Sequence, residues 1–186
     1  MHAPLLLLWS LLATAPPKGA PLPHGPENLL AGPARCVLHY LDAVRLAGPR
    51  VTQVRAGRTP TQDERAYAGA RRLTAPRTLE EIDRRSARGE DHPLAPWREA
   101  AKSRVLESFQ LVAARRAPRG AAVVTVRERY WLGDRDAALD RSVSEYLVAR
   151  VNGEWRVIDR RPGGTFDDAA VAGGYAGFFD DVLPSR

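Results

Sequence analysis

The chain of 186 residues is predicted to fold as an α+β domain. N-terminal helices pack on a curved antiparallel sheet of about four strands, cone-like, and an amphipathic C-terminal tail follows. Three observations predict this. Apolar residues recur at helical spacing as far as about residue 102. From residue 104 to residue 161 the period falls to two, in segments rich in Val, Phe, Tyr and Trp. Asn152-Gly153 then joins the last two segments, and this dipeptide is the strongest short-range hairpin signal because both positions tolerate positive φ. Helices first and a strand meander afterwards give an α+β class.

The elements follow in order. Leu5 to Ala15 is a largely uncharged run. A membrane-spanning helix needs roughly 20 residues, so the run suits the apolar region of a secretory signal instead. Ala13-Thr14-Ala15 supplies a small-x-small cleavage pattern, and cleavage after Gly19 is the other option. Residues 1–19 are therefore expected to be a signal peptide, and the protein to be exported to the periplasm or beyond the cell. Residues 20–32 are rich in Pro and Gly and read as a tether. The folded domain is expected over 33–161, with an extension at 162–186.

Pro33 suits a first helical position, since its missing N–H had no helical partner. Ala34, Val37, Leu38, Leu41 and Val44 form one apolar stripe, widened by Cys36, Tyr40, Ala43 and Ala47. This first helix is thus buried over most of its circumference, and Gly48-Pro49 ends it. His39 and Asp42 lie on its narrow polar side, where a surface pair or a dyad is open to them. Thr59-Pro60-Thr61-Gln62 and Thr78-Leu79-Glu80-Glu81 each have capping-box spacing. They predict a second helix ending near Leu73 and a third stopping at Gly89. A short piece from Trp97 to Lys102 precedes the strands. These are expected at Arg104–Ala114, Ala122–Leu132, Val143–Val151 and Glu154–Arg161. In the tail, Tyr175, Phe178, Phe179 and Val182 share one helical face. They are expected to pack back on the domain, across the sheet or the open end of the cone; the alternative is that they dock a partner or form a homodimer.

Composition narrows the function. Apolar residues at 44% and charged residues at 27% exclude wholesale disorder. The net charge is +6, yet all but Lys18 and Lys102 of the 28 basic residues are arginine, and they are spread out, with Arg-Arg pairs at 71–72, 84–85, 115–116 and 160–161 each in a different predicted element. That pattern gives a mixed solvated surface and no expectation of nucleic-acid binding. The four histidines lack metal-ligand spacing, and the single Cys36 can neither close a disulfide nor complete a zinc site. No Gly-rich phosphate loop precedes a helix, so no cofactor is expected.

A two-residue Asn152-Gly153 loop sets a hairpin register in which Tyr146 faces Asp159, Val148 faces Val157 and Arg150 faces Trp155. Tyr146 and Asp159 would then be neighbours, with Asp159 as a general base or as a rim carboxylate paired with Arg161. Glu107 and Glu128 interrupt apolar alternations and are expected at an edge or rim.

The closing hairpin, with Trp155, Val157 and Asp159 after its Gly turn, and the long first helix bearing Tyr40 resemble the nuclear transport factor two-like superfamily. The resemblance covers roughly residues 33 to 161. It implies a cone-shaped α+β domain with an internal pocket. The pocket-facing candidates are Tyr40, Trp97, Tyr130, Tyr146, Trp155 and Asp159; aromatics such as Trp97 and Tyr130 are more often core than ligand cage. The expected function is a non-catalytic binding module for a small apolar ligand or a protein partner in the cell envelope. A small cofactor-free isomerase, dehydratase or hydrolase using Asp159 and Tyr146 is the alternative, since this fold hosts both.

Overall fold

The structure, a computed structural model, describes residues 31–48, 64–98, 104–132, 139–175 and 178. Residues 1–30, where the signal and most of the tether are expected, the Thr59 capping box, Phe179 and Val182 lie outside the described residues.

Helix α1 runs Ala31–Ala47. It already contains Ala31 and Gly32, which the sequence places in the tether, so Pro33 is not its first residue. Val37, Tyr40, Leu41 and Val44 are buried on the inward stripe, as the spacing predicts. Gly48 closes the helix by donating its N–H to the Val44 carbonyl at 2.9 Å. A turn of 3-10 helix at Glu64–Tyr67 leads into α2, Ala68–Leu73. Helix α3 spans Pro76–Ala87, with proline in its first turn.

The Thr78 capping box needs correction. Ala75 is the N-cap, without a side-chain cap bond, and Thr78 is already helical. The Thr78 hydroxyl instead donates to the Ile158 carbonyl at 2.8 Å, and the Ala75 N–H donates to the Val157 carbonyl at 2.8 Å. These bonds and the parallel bridge Thr74–Val157 cover the edge of the last strand.

Four strands form one antiparallel sheet in sequence order: β1 Arg104–Arg116, β2 Ala122–Leu132, β3 Leu139–Val151 and β4 Glu154–Pro162. The expected spans hold to within a few residues. Asn152 and Gly153 take φ of 52° and 82°, as the hairpin turn requires. The inner face carries Ala122, Val124, Val126, Tyr146, Val148 and Val157, packed on α1, Trp97 and Leu94. The outer face carries Val123, Leu147, Ala149 and Ile158.

The C-terminal extension covers that outer apolar half. Phe166 and Val171 are buried in it, and Tyr175 and Phe178 pack against it. Helix α4 is Asp168–Gly174, capped by the Asp167 carboxylate accepting from the Ala170 N–H. The described part of the tail therefore packs back on the sheet of its own domain, through α4 together with Phe166, Tyr175 and Phe178.

Candidate functional site

The hairpin register departs from the expected one at a single point. Val151–Glu154, Arg150–Trp155 and Val148–Val157 pair as derived. A bulge then adds one residue to β4, so Leu147 faces Asp159 and Tyr146 faces Arg160. Tyr146 and Asp159 are not neighbours but lie on opposite faces of the sheet. Ile158 and Asp159 go to the outer face and Arg160 goes inward.

The reason lies one strand away. Glu128 on β2 shares its parity with Val124, Val126 and Tyr130, and so points inward. It is not a rim residue but fully buried. A buried carboxylate needs a positive partner and hydrogen-bond donors. The slipped register delivers Arg160, whose guanidinium pairs with Glu128 Oε2. The unslipped register would have brought Asp159 towards the same place, a second carboxylate beside the first.

Around Glu128 the donors converge. The Tyr146 hydroxyl donates to Oε1, while Tyr130 (3.1 Å) and Ser144 (3.0 Å) donate to Oε2. Arg160 also donates to the Pro93 carbonyl (3.2 Å) and to the Tyr130 hydroxyl (3.0 Å). Burial pushes the Tyr146 phenol well above its ordinary range; Arg160 opposes this and Glu128 reinforces it. The phenol therefore stays protonated and remains a donor. Burial opposes the charge on Arg160, but the surrounding oxygens of Tyr146, Tyr130 and Glu128 outweigh it and raise its pKa. Both oxygens of the carboxylate thus accept from groups of its own chain. The arrangement fits a locked ion pair in a core, not an open acid–base centre.

The other candidate residues fall in separate places. Tyr40 stands beside this cluster, its ring 6.1 Å from that of Tyr146, and donates to the Leu94 carbonyl at 2.9 Å. Trp97 is buried against Tyr67 (5.9 Å between rings) and beneath Arg71. Its Nε1 finds no hydrogen-bond acceptor among the described residues. Trp155 lies at the far end of the hairpin, near the N-terminus of α1. Cys36 Sγ donates to its carbonyl at 3.2 Å, and a Cβ on Gly32 would come within 2.5 Å of its indole Nε1. Only glycine permits that approach. Burial pushes the Cys36 thiol up to about 12, which makes it inert. Asp159 on the outer face accepts from the Tyr175 hydroxyl and from the Arg160 N–H (2.7 Å). It ties the tail to the bulge. His39 is exposed, and Asp42 pairs with Arg45 at 2.7 Å.

Tyr40, Tyr130 and Tyr146 are therefore brought together, whereas Trp155 and Asp159 stand apart. The residues that sequence reasoning missed are Glu128, Arg160 and Ser144. The parity of Glu128 with two valines and a tyrosine was the available signal. Among the described residues, no cluster of His, Cys, Asp and Glu is placed to hold a metal ion, and no helix is long and apolar enough to cross a membrane. A shallow cleft of about 260 Å³ lies on the surface between Ala75, Pro76, Arg77, Val151, Asn152 and Phe178.

No family model matches the chain, and no curated protein matches it. Among solved structures, it is similar to a SEC-C motif containing protein from Rhodopseudomonas palustris, at 13% identity and a TM-score of 0.30. That similarity covers 60% of this chain and 87% of the other.

Proposed function

We propose that this chain is an exported, non-catalytic binding module of the nuclear transport factor two-like kind, acting on a protein partner through its surface. The observation that carries this reading is the buried Glu128 cluster. Its carboxylate accepts from Tyr130, Ser144, Tyr146 and Arg160, so both of its oxygens are engaged within the chain. Support also comes from the filled space around it, where Tyr40, Trp97, Tyr146 and Leu94 are all almost fully buried. The enzyme alternative relied on Tyr146 and Asp159 acting together, and the sheet now separates them. The apolar run from Leu5 to Ala15 and the following Pro/Gly-rich segment support export.

Cross-linking in the native host, followed by intact-mass analysis of the cross-linked product, tests both parts. The expected result is a processed chain lacking Leu5–Ala13, joined to one defined protein outside the cytoplasm. A full-length cytoplasmic chain without a cross-linked product would overturn the proposal.

A further inference from the structure

Among the described residues, the extension covers one half of the outer sheet face. The other half carries Arg127 and Arg129 on β2 and Arg141 on β3. Residues directly opposite on antiparallel strands share a face, and Arg129 pairs with Arg141 while Arg127 pairs with Val143. Like charges directly opposite destabilise a sheet. Among the described residues little relieves them. Glu107 reaches to 3.4 Å from Arg129 Nε, an ion pair, but that Nε makes no hydrogen bond among the described residues. Arg127 and Arg141 are exposed, and among the described residues no ion pair or hydrogen bond engages either. Val143 beside them is 45% exposed.

We propose that this half-face docks a short acidic segment of a partner protein, whose carboxylates bind Arg129, Arg141 and Arg127 while an aliphatic neighbour covers Val143. The proposal rests on the binding-module reading and names its partner by chemistry. Guanidinium forks match carboxylates in bidentate geometry. Cross-strand Cβ atoms about 4.5–5.5 Å apart let one carboxylate sit between two such forks. A bound carboxylate would turn the repulsive pair into a favourable one. The exposed valine favours a peptide over a bare phosphate chain. Glu107 and Glu145 flank the arginines and keep the positive field local, which suits a short segment more than a long polyanion. A twofold contact between copies would bring the same arginines face to face, so a second copy fits this surface poorly.

The test uses the full chain and a short fluorescein-labelled peptide of alternating glutamate and valine at physiological ionic strength. Fluorescence anisotropy should show saturable binding that Arg129→Gln with Arg141→Gln weakens by at least about tenfold. Arg45→Gln with Arg84→Gln, which removes the same charge elsewhere, should leave binding within about twofold. The melting temperature of the first pair should not fall, because the pair repels. Absence of binding, equal weakening by both pairs, or binding of anionic phosphatidylglycerol vesicles or duplex DNA with the peptide inert would each overturn the proposal. Retention of the native cross-linked partner by the Arg129/Arg141 variant overturns this docking surface and leaves the binding-module reading standing. Loss of any partner from the unmodified chain as well removes both.

Discussion

Replacing Arg160 with methionine should unfold the domain far more readily than its position near a strand end suggests. Glu128 is 0% exposed as a side chain and Arg160 only 11%. Methionine fills much of the arginine stem but leaves the carboxylate with hydroxyl donors and no countercharge. Breaking a buried pair by removing one partner costs about 3–5 kcal/mol. At about 2–4 °C per kcal/mol for a domain of this size, the melting temperature should fall by roughly 6–20 °C. Glu128→Gln should cost less, about 1–3 kcal/mol, because the amide oxygen still accepts from Tyr130, Ser144 or Tyr146 and the arginine retains the Pro93 carbonyl. The two changes together should fall short of the sum of the singles, with a coupling of about 1–3 kcal/mol. Urea unfolding of the four proteins, followed by tryptophan fluorescence, gives the cycle. An Arg160→Met cost below about 1 kcal/mol, or an additive cycle, would refute the claim that this pair sets the register of β4.

Burial pushes His92 below its ordinary value of 6.5, and its Nδ1 accepts from the Leu94 N–H at 3.1 Å, as only a neutral ring can. The folded state favours the neutral ring, so this stability is full above about pH 6.5 and is lost as pH falls below it. Melting temperatures across that window should slope for the native protein and flatten for His92→Gln; parallel curves would contradict this. Burial first, and then the bond to Asp159, push the Tyr175 phenol up to about 12. Its contribution is full below the ordinary value of 10 and is lost as pH rises towards 12, a loss that Tyr175→Phe should abolish in alkaline melts. Cys36, raised to about 12 by burial, should resist iodoacetamide in the native state and label promptly in urea. Equal labelling in both states would show the thiol exposed.

What was legible in the sequence was local. Period-two runs located all four strands because alternation is written into adjacent residues, and Asn152-Gly153 fixed the pairs nearest the turn. The register beyond Val148 was not legible, because the bulge at Ile158 answers to a carboxylate on β2 about thirty residues earlier. Glu128 itself could have been placed inward by parity, but a lone glutamate among valines looks the same at a rim until its countercharge is known. Thr78 looked like a cap because its spacing to Glu81 is right; tertiary contact with the Ile158 carbonyl took its hydroxyl instead. The tail's intent to cover apolar surface was readable from its aromatics, whereas the role of Asp159 in holding Tyr175 depended on the same unseen bulge.

Tyr146→Phe tests most directly whether the interior cluster holds the fold and leaves function to the surface. The substitution removes one hydroxyl, the donor to Glu128 Oε1, and nothing else. Melting temperature and affinity for the native cross-linked partner should be measured on the same preparation, together with any turnover of candidate substrates. A hydrogen bond to a charged group contributes about 1.5–3 kcal/mol, so the melting temperature should drop by several degrees. Partner affinity should stay within about twofold of the unmodified chain, since the residue is buried away from the surface. An unchanged melting temperature with affinity or turnover reduced by about tenfold, roughly 1.4 kcal/mol, would show that Tyr146 acts in the function and would contradict the account.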